Sequence, residues 1–285
     1  MKQLKAKVLS NDELLSYPGA TYFLMRVHAP EIAAVSKPGQ FCMLNCGPDV
    51  PLRRPLSIHR VHPRGDVFFL YSVRNPDAPD TSRITIKENG LISTSGKGTT
   101  WLSKVAPGSQ LNIIGPLGNG FSIDNKSDNL LLAAGGIGIA PLMFLAERAV
   151  SLGSGVTLIA GARCKEGLYP DSLLPPGINI IRVVESVENN TRYIRGKVTD
   201  VIPLHLAGVK QIFACGPQAM LEAISNHVGN KAVTKPVQAS LEVRMGCGLG
   251  TCYGCSIKTR QGMQRVCKDG PVFNIKDIIW QEVRI

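Results

Sequence analysis

The segment from Leu130 to Ala146 reads LLLAAGGIGIAPLMFLA and contains no charged residue. Three glycines break this hydrophobic run, which is also shorter than the roughly 20 residues of a membrane span. The pattern predicts a buried strand, a tight turn at Gly135, Gly136 and Gly138, and a helix with Pro141 in its first turn. Such a turn presents backbone N–H groups and the positive end of a helix dipole, which favours a pyrophosphate group. Because the full G-x-G-x-x-G fingerprint is missing, a turn that serves only close packing is the alternative.

The sequence after this segment repeats the alternation of strand and helix. GVTLIAGA, INIIRVVES and KQIFACG predict three more strands, and PQAMLEAISNHVG predicts a helix after the last of them. This alternation indicates a doubly wound parallel sheet, whose ligands bind at the carboxyl ends of the strands. Cys215, Gly216 and Pro217 stand at such an end and are further candidates for nucleotide contacts. A small buried side chain is an equally good explanation for Cys215.

The chain has a different character on either side of this sheet. Before it, ATYFLMRVHAP, GQFCMLNC, PLSIHRV, DVFFLYSV and SQLNIIG predict short strands separated by Gly and Pro turns, which favours a small antiparallel barrel. After it comes an end that is rich in Cys and Gly and has no long helix. We therefore expect three units: a barrel in residues 1–125, a parallel α/β domain in residues 126–235 and a small cysteine-rich unit in residues 236–285.

Composition limits the possible classes of function. The 285 residues carry a net charge of +11, but aromatic residues make up only 6% and the lysines and arginines are scattered. The sequence therefore lacks the basic runs and stacking platforms of nucleic-acid-binding proteins. Its first 15 residues contain no apolar core of signal-peptide length, and we expect a soluble cytoplasmic protein with no membrane contact. In that reducing compartment, eight cysteines indicate metal or redox chemistry more than disulfides.

Four cysteines near the C-terminus have the spacing of a metal centre. In RMGCGLGTCYGC, Cys247, Cys252 and Cys255 follow the pattern C-x4-C-x2-C, and Cys267 comes after them. This opening matches plant-type 2Fe–2S proteins, in which four thiolates hold two irons, although their fourth cysteine lies further away. Structural zinc is the alternative, but zinc sites more often use two close cysteine pairs. We expect three other cysteines to be structural: Cys42, Cys46 and Cys164.

Two short motifs in the barrel region could grip a phosphate. RRPLSI places Arg54 beside a proline-fixed turn, and Ser57 after it could reach a ring heteroatom. GKGTTWL places Gly98 and Thr99 at the start of a short helical stretch. A surface charge and a plain loop are the alternatives. A nicotinamide carries two electrons and a 2Fe–2S cluster takes one, so a flavin is needed between them, and the barrel is the candidate for holding it.

Taken in order, these motifs resemble the ferredoxin reductase-like family. RRPLSI, GKGTTWL, GPLGNGF, AAGGIGIAPL and CGPQAM carry this resemblance over nearly the whole chain. The end, LEVRMGCGLGTCYGCSIK followed by RVCKDGPVF, resembles the electron transfer subunits of NAD-dependent (class 1B) dihydroorotate dehydrogenases. The resemblance implies an FAD barrel, an NAD(H) domain and a 2Fe–2S unit. It implies flavin contacts at Arg54, Pro55, Leu56, Ser57, Gly98 and Thr99, and cluster ligands at Cys247, Cys252, Cys255 and Cys267.

One segment departs from the family pattern. Between FFLYSV and GKGT, the chain carries RNPDAPDTSRITIKENGLISTS, residues 74–95, whose Pro and Asp content predicts a surface loop that ends in a short strand. This insertion leaves two candidate segments for lining the flavin: Leu70, Tyr71 and Ser72, or residues 91–93. We favour the first, because its aromatic-rich strand directly precedes the loop.

The resemblance further implies that the chain works as a subunit of an oxidoreductase. An FMN-containing catalytic subunit would oxidise dihydroorotate to orotate in pyrimidine biosynthesis, in a heterotetramer of two plus two chains. Electrons would pass through the 2Fe–2S cluster and FAD of this chain to NAD+. One alternative is an electron-transfer subunit of a sulfide dehydrogenase, an NADH-dependent ferredoxin:NADP reductase or a hydrogenase. Another is a zinc-stabilised flavoprotein that acts as a binding module.

Two sets of charged residues bear on ligand and partner choice. Arg163 and Lys165 could meet a 2′-phosphate, whereas Glu166 could meet a ribose hydroxyl, so the residues leave NAD and NADP open and only the resemblance favours NAD. Around the cysteines, three basic residues could contribute to a partner interface or could be ordinary solvated charges: Arg244, Lys258 and Arg260.

Overall fold

The computed structural model describes residues 1–75, 96–124, 128–186, 192–229 and 235–283. The alternative flavin segment at residues 91–93 and the loop and strand expected in the insertion after residue 75 lie outside the described residues.

Six strands are formed by the described residues of the N-terminal unit: β1 (Lys2–Tyr17), β2 (Ala20–His28), β3 (Phe41–Leu44), β4 (Arg54–His62), β5 (Asp66–Arg74) and β6 (Gln110–Leu117). They close into a barrel in the order β1–β2–β5–β4–β3–β6, and the pairs are antiparallel. The helices α1 (Pro30–Ala33) and α2 (Lys97–Leu102) belong to its connections. The predicted antiparallel barrel is confirmed. The sequence analysis missed β1, in which buried Ala6 and Val8 alternate with exposed lysines.

The second unit is a parallel sheet. The remaining strands are β7 (Asn129–Gly135), β8 (Gly155–Ala162), β9 (Asn179–Val184), β10 (Ile194–Arg195), β11 (Gln211–Cys215), β12 (Val237–Ser240), β13 (Ser256–Thr259), β14 (Gly262–Arg265) and β15 (Val272–Asn274). Seven of them pair in the order β10–β9–β8–β7–β11–β12–β15, and only β15 runs antiparallel to its neighbour. β13 and β14 form a separate hairpin.

Helices cover both faces of this sheet: α3 (Ile139–Ser151), α4 (Val198–Val201) and α5 (Gln218–Gly229). Alternate residues of β7 serve the two faces, as the pleat of a strand requires. Leu130 and Leu132 pack in the cluster that contains α3, whereas Leu131 and Ala133 pack in the cluster that contains α4 and α5. The predicted doubly wound sheet is confirmed. Among the described residues, no helix has the length and hydrophobicity needed to cross a membrane.

The cysteine-rich end is joined to the sheet by strand pairing. β12 and β15 both follow residue 235, and they extend the sheet beyond β11. The boundary expected near residue 235 therefore divides the chain without dividing the sheet. Leu241, at the start of the cysteine-rich end, donates its N–H to the carbonyl of Pro271 at 2.9 Å.

The barrel also contacts the sheet domain directly. His59 of β4 is fully buried, with Nδ1 2.9 Å from the carbonyl oxygen of Ala140 in α3 and Nε2 2.9 Å from the hydroxyl of Tyr169. Next to it, Arg60 Nε lies 2.9 Å from a carboxylate oxygen of Glu147. These contacts fix the orientation of the two units and so define the cleft between them.

Candidate functional site

A cleft of about 820 Å³ lies between the barrel and the carboxyl edge of the parallel sheet. On the sheet side it is lined by the glycine turn that follows β7 and by Gly216 and Pro217, which follow β11. On the barrel side it is lined by Tyr22 and Ser72, which are directly paired across β2 and β5. The cleft therefore brings the predicted nucleotide turns opposite one residue of the predicted flavin segment.

The glycines of the turn have two different roles. A Cβ atom on Gly138 would lie 2.3 Å from the carbonyl oxygen of Cys215, so the turns after β7 and β11 can approach only because this residue is glycine. Gly136 has a positive φ of 53° and lines the cleft, where a Cβ would lie 3.4 Å from the hydroxyl of Tyr22. Close packing and an open backbone for a ligand thus coexist in one turn.

Cys215 lies beneath the cleft. Its side chain is buried, and the lining of the cleft begins at the next residue, Gly216. Burial raises the pKa of the Cys215 thiol well above its usual value, and the nearby Glu242 carboxylate raises it further. A hydrogen bond with the Ser240 side chain holds the thiol in place. Cys215 therefore has the position that the alternative explanation expected, that of a small buried side chain.

Glu242 is a cleft residue that the sequence analysis missed. Its side chain opens into the cleft, where the surrounding protein displaces bulk water and so raises the pKa of the carboxyl. It follows the carboxyl end of β12, which is the edge where ligands bind in open parallel sheets. This position was the signal that could have identified it.

Two tyrosines from the long first hairpin complete the barrel side of the cleft. Tyr17 at the end of β1 and Tyr22 in β2 meet edge to face, with ring centroids 5.9 Å apart. Burial, followed by the effect of Tyr17, raises the pKa of Tyr22. The sequence analysis missed Tyr17 because it did not predict β1. It missed Tyr22, although it predicted the strand β2, because that strand alone does not show which of its side chains meets the sheet domain.

The charged residues that the sequence offered for nucleotide selection are divided by the fold. Arg163 lines the cleft together with Glu185, which follows β9. Lys165 and Glu166 do not line it; they face each other at the surface, with Nζ 3.8 Å from a carboxylate oxygen. Of the three predicted residues, Arg163 therefore has access to a nucleotide in this cleft.

The two candidate phosphate motifs of the barrel meet each other. A Cβ atom on Gly98 in α2 would lie 2.6 Å from Nε of Arg54, so the guanidinium packs directly on the helix backbone. Thr99 follows in the first turn of the helix, where its hydroxyl donates to the Gly96 carbonyl at 3.3 Å. Arg53 points elsewhere and donates to the Asn112 carbonyl at 3.0 Å. The arrangement of Arg54, Gly98 and Thr99 fits a pyrophosphate, because a forked cation and backbone N–H groups lie side by side.

The other predicted flavin residues lie on adjacent strands of the barrel. Pro55, Leu56 and Ser57 in β4 pair with Met43, Cys42 and Phe41 in β3. In β5, Leu70 and Tyr71 are buried, and the Tyr71 hydroxyl donates to Oδ1 of Asn11 at 2.8 Å. Tyr71 can therefore offer a cofactor its backbone but not its ring, whereas Ser72 faces the cleft.

The four candidate cluster ligands form two pairs in and beside the cysteine loop, residues 247–255. The N–H of Cys247 lies 3.5 Å from the sulfur of Cys252, and the N–H of Cys267 lies 3.5 Å from the sulfur of Cys255. Within the part of the chain that the structure describes, no three Cys, His, Asp or Glu side chains gather around one ion position. Two pairs of neighbouring cysteines fit the two irons of a 2Fe–2S cluster, which four thiolates hold.

Backbone and hydroxyl groups of the loop stabilise a thiolate. Burial raises the pKa of Cys247, but hydrogen bonds from the Thr251 side chain and from the N–H groups of Cys252, Leu249 and Thr251 outweigh it and lower the pKa to about 5. The Leu249 N–H lies 3.3 Å from the Cys247 sulfur. These donors are the groups that an iron-bound sulfur accepts hydrogen bonds from.

The cysteine loop packs directly on the barrel. A Cβ atom on Gly248 would lie 2.5 Å from Cγ of Met43, and Met43 is the cross-strand partner of Pro55. Asn119, just after β6, donates its N–H to the Gly270 carbonyl at 2.6 Å. Cys247 is therefore separated from the candidate flavin motif by a single strand.

The remaining cysteines stand apart from this loop. All eight cysteines are free thiols, and Cys42 and Cys46 are buried in the barrel. Burial raises the pKa of Cys46 to about 11, so it stays protonated. Cys164 is half-buried after β8. Of the basic residues considered for a partner interface, Lys258 is bound within the chain, with Nζ 2.7 Å from Glu282, whereas Arg244 and Arg260 are exposed.

Comparisons with known proteins agree with this arrangement. The sequence model of one family, the iron–sulfur cluster binding domain of dihydroorotate dehydrogenase B, matches residues 242–279. The dihydroorotate dehydrogenase B (NAD(+)) electron transfer subunit of Desulforamulus reducens is 35% identical, over 92% of this chain and 93% of its own length. The corresponding subunit of Clostridium perfringens is 31% identical, over 96% of this chain and 97% of its own length.

Solved structures support the fold. The NADH-dependent reduced ferredoxin-NADP oxidoreductase superposes with a TM-score of 0.78 at 24% identity, over 97% of this chain and 90% of its own. The ferredoxin reductase of carbazole 1,9a-dioxygenase superposes with a TM-score of 0.60 at 20% identity, over 81% of this chain and 66% of its own. Together with the full-length sequence relatives, these findings establish that the chain belongs to the family of dihydroorotate dehydrogenase B (NAD(+)) electron transfer subunits.

Proposed function

We propose that this chain relays electrons between a dihydroorotate-oxidising catalytic subunit and NAD+, with FAD in the barrel, a 2Fe–2S cluster on the four cysteines and NAD(H) in the cleft. The observation that carries the proposal is the continuity of these three places. The cysteine loop packs on Met43 of β3, β3 pairs with the Arg54–Ser57 segment of β4, and β4 pairs with β5, whose Ser72 lines the cleft. FAD supplies the exchange between the one-electron chemistry of a 2Fe–2S cluster and the two-electron chemistry of a nicotinamide.

In this proposal each cofactor has a defined set of residues. Arg54, Gly98 and Thr99 hold the FAD pyrophosphate, and Pro55, Leu56, Ser57 and Leu70–Ser72 surround the flavin. Gly135, Gly136 and Gly138, together with Gly216 and Pro217, receive the nicotinamide nucleotide, and Cys215 supports this edge from below. Cys247 and Cys252 hold one iron, and Cys255 and Cys267 hold the other.

We also propose a surface for the catalytic partner. Leu249, Tyr253 and Met263 are large side chains on and beside the cysteine loop, and they are 39%, 64% and 66% exposed. Met263 and Arg265 are two residues apart in β14, so their side chains lie on the same side of the strand. Arg265 contacts the Tyr253 ring, so Met263 and Tyr253 belong to one face. An apolar face next to a redox centre favours contact with another protein. By family resemblance we also propose that two copies of this chain assemble with two FMN-containing catalytic subunits, and that this complex is cytoplasmic.

Reconstitution tests the electron-relay proposal. The purified chain with its cofactors should oxidise NADH with an artificial dye but should show no dihydroorotate oxidation. Addition of its FMN-containing catalytic partner should produce dihydroorotate-dependent reduction of NAD+, followed by absorbance of NADH. Dihydroorotate oxidation by the chain alone, or failure to couple with the cognate partner, would contradict the proposal. Native mass of the complex tests the two-plus-two composition.

A surface variant tests the partner face. Met263→Glu should weaken coupling to the partner and leave the NADH–dye reaction unchanged, because a buried charge without a counterion opposes association. The control is Leu204→Glu, which changes another exposed hydrophobic residue, 74% exposed, in the sheet domain. Equal coupling by the two variants would place the partner elsewhere. Lys258 is unsuitable for this test, because its replacement would also break the ion pair with Glu282.

A further inference from the structure

Arg265 lies where the two ligand-bearing segments meet. It is the last residue of β14 and precedes Cys267 by two positions in the sequence. Its Nη1 donates to the Gly250 carbonyl in the middle of the cysteine loop at 2.9 Å. Its guanidinium also lies over the Tyr253 ring, 5.0 Å from the centroid. One side chain thus connects the loop that holds Cys247, Cys252 and Cys255 with the segment that holds Cys267.

The opposite side of Arg265 is fixed as well. Asp269 accepts from the Arg265 backbone N–H at 2.8 Å and from Nε at 3.3 Å. The arginine side chain is only 22% exposed. Because a guanidinium is planar and has its donors in a fixed fork, contacts on both edges determine its orientation. The position of the Gly250 carbonyl is determined with it.

The Gly250 carbonyl belongs to a peptide unit that points at a cluster ligand. This unit also contains the N–H of Thr251, which stabilises the Cys247 thiolate and so lowers the pKa of Cys247. The Leu249 N–H, on the other side of Gly250, lies 3.3 Å from the same sulfur. A trans peptide is planar, and its C=O and N–H point in opposite directions, so a donor that holds the carbonyl also aims the N–H. The N–H of Gly250 itself favours the thiolate of Cys267, and a Cβ atom on Gly250 would lie 2.8 Å from the side chain of the next residue, Lys268. Residue 250 therefore connects both thiol pairs to Arg265.

The backbone next to this peptide is in a conformation that needs support. Tyr253 has a φ of 57°, and it is the only residue other than glycine with a positive φ among the described residues. Left-handed backbone is unfavourable for a side chain with a Cβ and persists where its surroundings hold it. The Arg265 guanidinium over the Tyr253 ring is such a contact.

We propose that Arg265 is a positioning residue that raises the reduction potential of the cluster by holding the Gly250–Thr251 peptide with its N–H toward Cys247. The inference rests on the proposed 2Fe–2S site. Hydrogen bonds to the ligand sulfurs favour the reduced, more negative cluster, and their loss lowers the potential. Both the hydrogen bond and the positive charge of Arg265 act in the same direction, so the test must separate them.

The test is a redox titration of the purified protein with its cofactors, followed by the EPR signal of the reduced cluster. Arg265→Gln and Arg265→Lys should each shift the reduction equilibrium tenfold or more toward the oxidised cluster, which equals about 59 mV for one electron. Arg260→Gln removes the same charge from the exposed β13–β14 turn and should leave the potential unchanged. If Arg265→Lys keeps the wild-type potential, only the positive charge of Arg265 matters, and the positioning role is overturned. A wild-type potential in Arg265→Gln would overturn the whole inference.

A second variant covers the case in which the Arg265 variants fail to retain iron. Asp269→Ala removes a negative charge, which by electrostatics alone raises the potential, but it also releases Arg265, which should lower it. A lowered potential supports the positioning role, and a raised or unchanged one contradicts it. If the wild-type protein binds no iron and sulfide, the proposed cluster site itself is wrong. If the wild type binds the cluster but the variants keep its reduction potential, only the role of Arg265 is overturned.

Discussion

His59 should make the stability of this protein depend on pH over a range that its fold predicts. The side chain is fully buried between the barrel and α3. The Ala140 carbonyl can only accept, so Nδ1 carries the proton and the neutral Nε2 accepts from the Tyr169 hydroxyl. Burial lowers the pKa of His59 from 6.5 to about 3; the bond to Ala140 opposes this shift, and the Arg60 charge adds to it. The folded protein therefore requires a neutral ring.

The size of the effect follows from the two protonation states. In the unfolded chain the ring takes up a proton near its ordinary pKa of 6.5, whereas in the folded chain it does so only near 3. The stabilisation is fully present above pH 6.5 and is lost as the pH falls toward the folded value. A pH of about 5 lies about 1.5 units below the pKa of the unfolded chain, and each unit is worth about 1.36 kcal/mol. The free energy of unfolding should therefore be about 2 kcal/mol lower at about pH 5 than at about pH 7.5.

The assay compares the wild type with His59→Gln, which keeps a donor and an acceptor but cannot titrate. The wild type should be the more stable at about pH 7.5, and its advantage in unfolding free energy should shrink by about 2 kcal/mol at about pH 5. Acid effects on the cofactors cancel in this difference. His62→Gln, at the exposed end of the same strand, is the control and should show no such change. A stability difference between wild type and His59→Gln that stays constant with pH would refute the reasoning.

Two further predictions concern the cofactors. Arg54→Ala should weaken FAD binding by roughly 10- to 100-fold without unfolding the barrel, because one charge-assisted phosphate contact of about 1.5–3 kcal/mol is lost. Flavin per chain after desalting measures this, with the exposed Arg64→Ala as control, and full retention of flavin would contradict the role of Arg54. Cys252→Ser should prevent or severely weaken assembly of the 2Fe–2S cluster, because the irons need soft thiolates, whereas Cys164→Ser should not. Counts of iron and acid-labile sulfide decide this, and equal losses in the two variants would contradict the assignment of the ligands.

The sequence was sufficient where chemistry depends on local spacing. The glycine turn after β7 could be recognised because Gly135, Gly136 and Gly138 interrupt an apolar run, and a strand–turn–helix needs nothing beyond its own segment. The cysteine spacing is equally local, since one loop supplies Cys247, Cys252 and Cys255. The number of strands in the barrel was harder to predict from the sequence. The first strand was not predicted, because only Ala6 and Val8 of its 16 residues are buried and the alternation with lysines is correspondingly short.

The cleft itself could not be predicted, because its walls come from residues that only the fold brings together. Tyr22 reaches the glycine turn through the register of β2 with β5 and through the docking of His59 on α3. Glu242 enters because β12 extends the sheet beyond β11. The ion pair of Lys258 with Glu282 is likewise non-local. Each of these contacts depends on long-range pairing, which residue type and period do not encode.

The position of the cysteine loop explains how a glycine-rich segment can hold a redox centre at a fixed place. Its beginning is anchored by Leu241 and Val243, and its end by Val266, and all three are buried in the core that also contains β11 and β12. Val266 also donates its N–H to the Cys255 carbonyl at 3.1 Å, which ties the end of the loop to the segment of Cys267. Between these anchors, Gly248 and Gly250 adopt positive φ angles of 73° and 83°, which help to direct backbone N–H groups at sulfur. Because electron transfer depends on distance and iron ligation depends on local geometry, the rigid anchors serve the first requirement and the glycines serve the second.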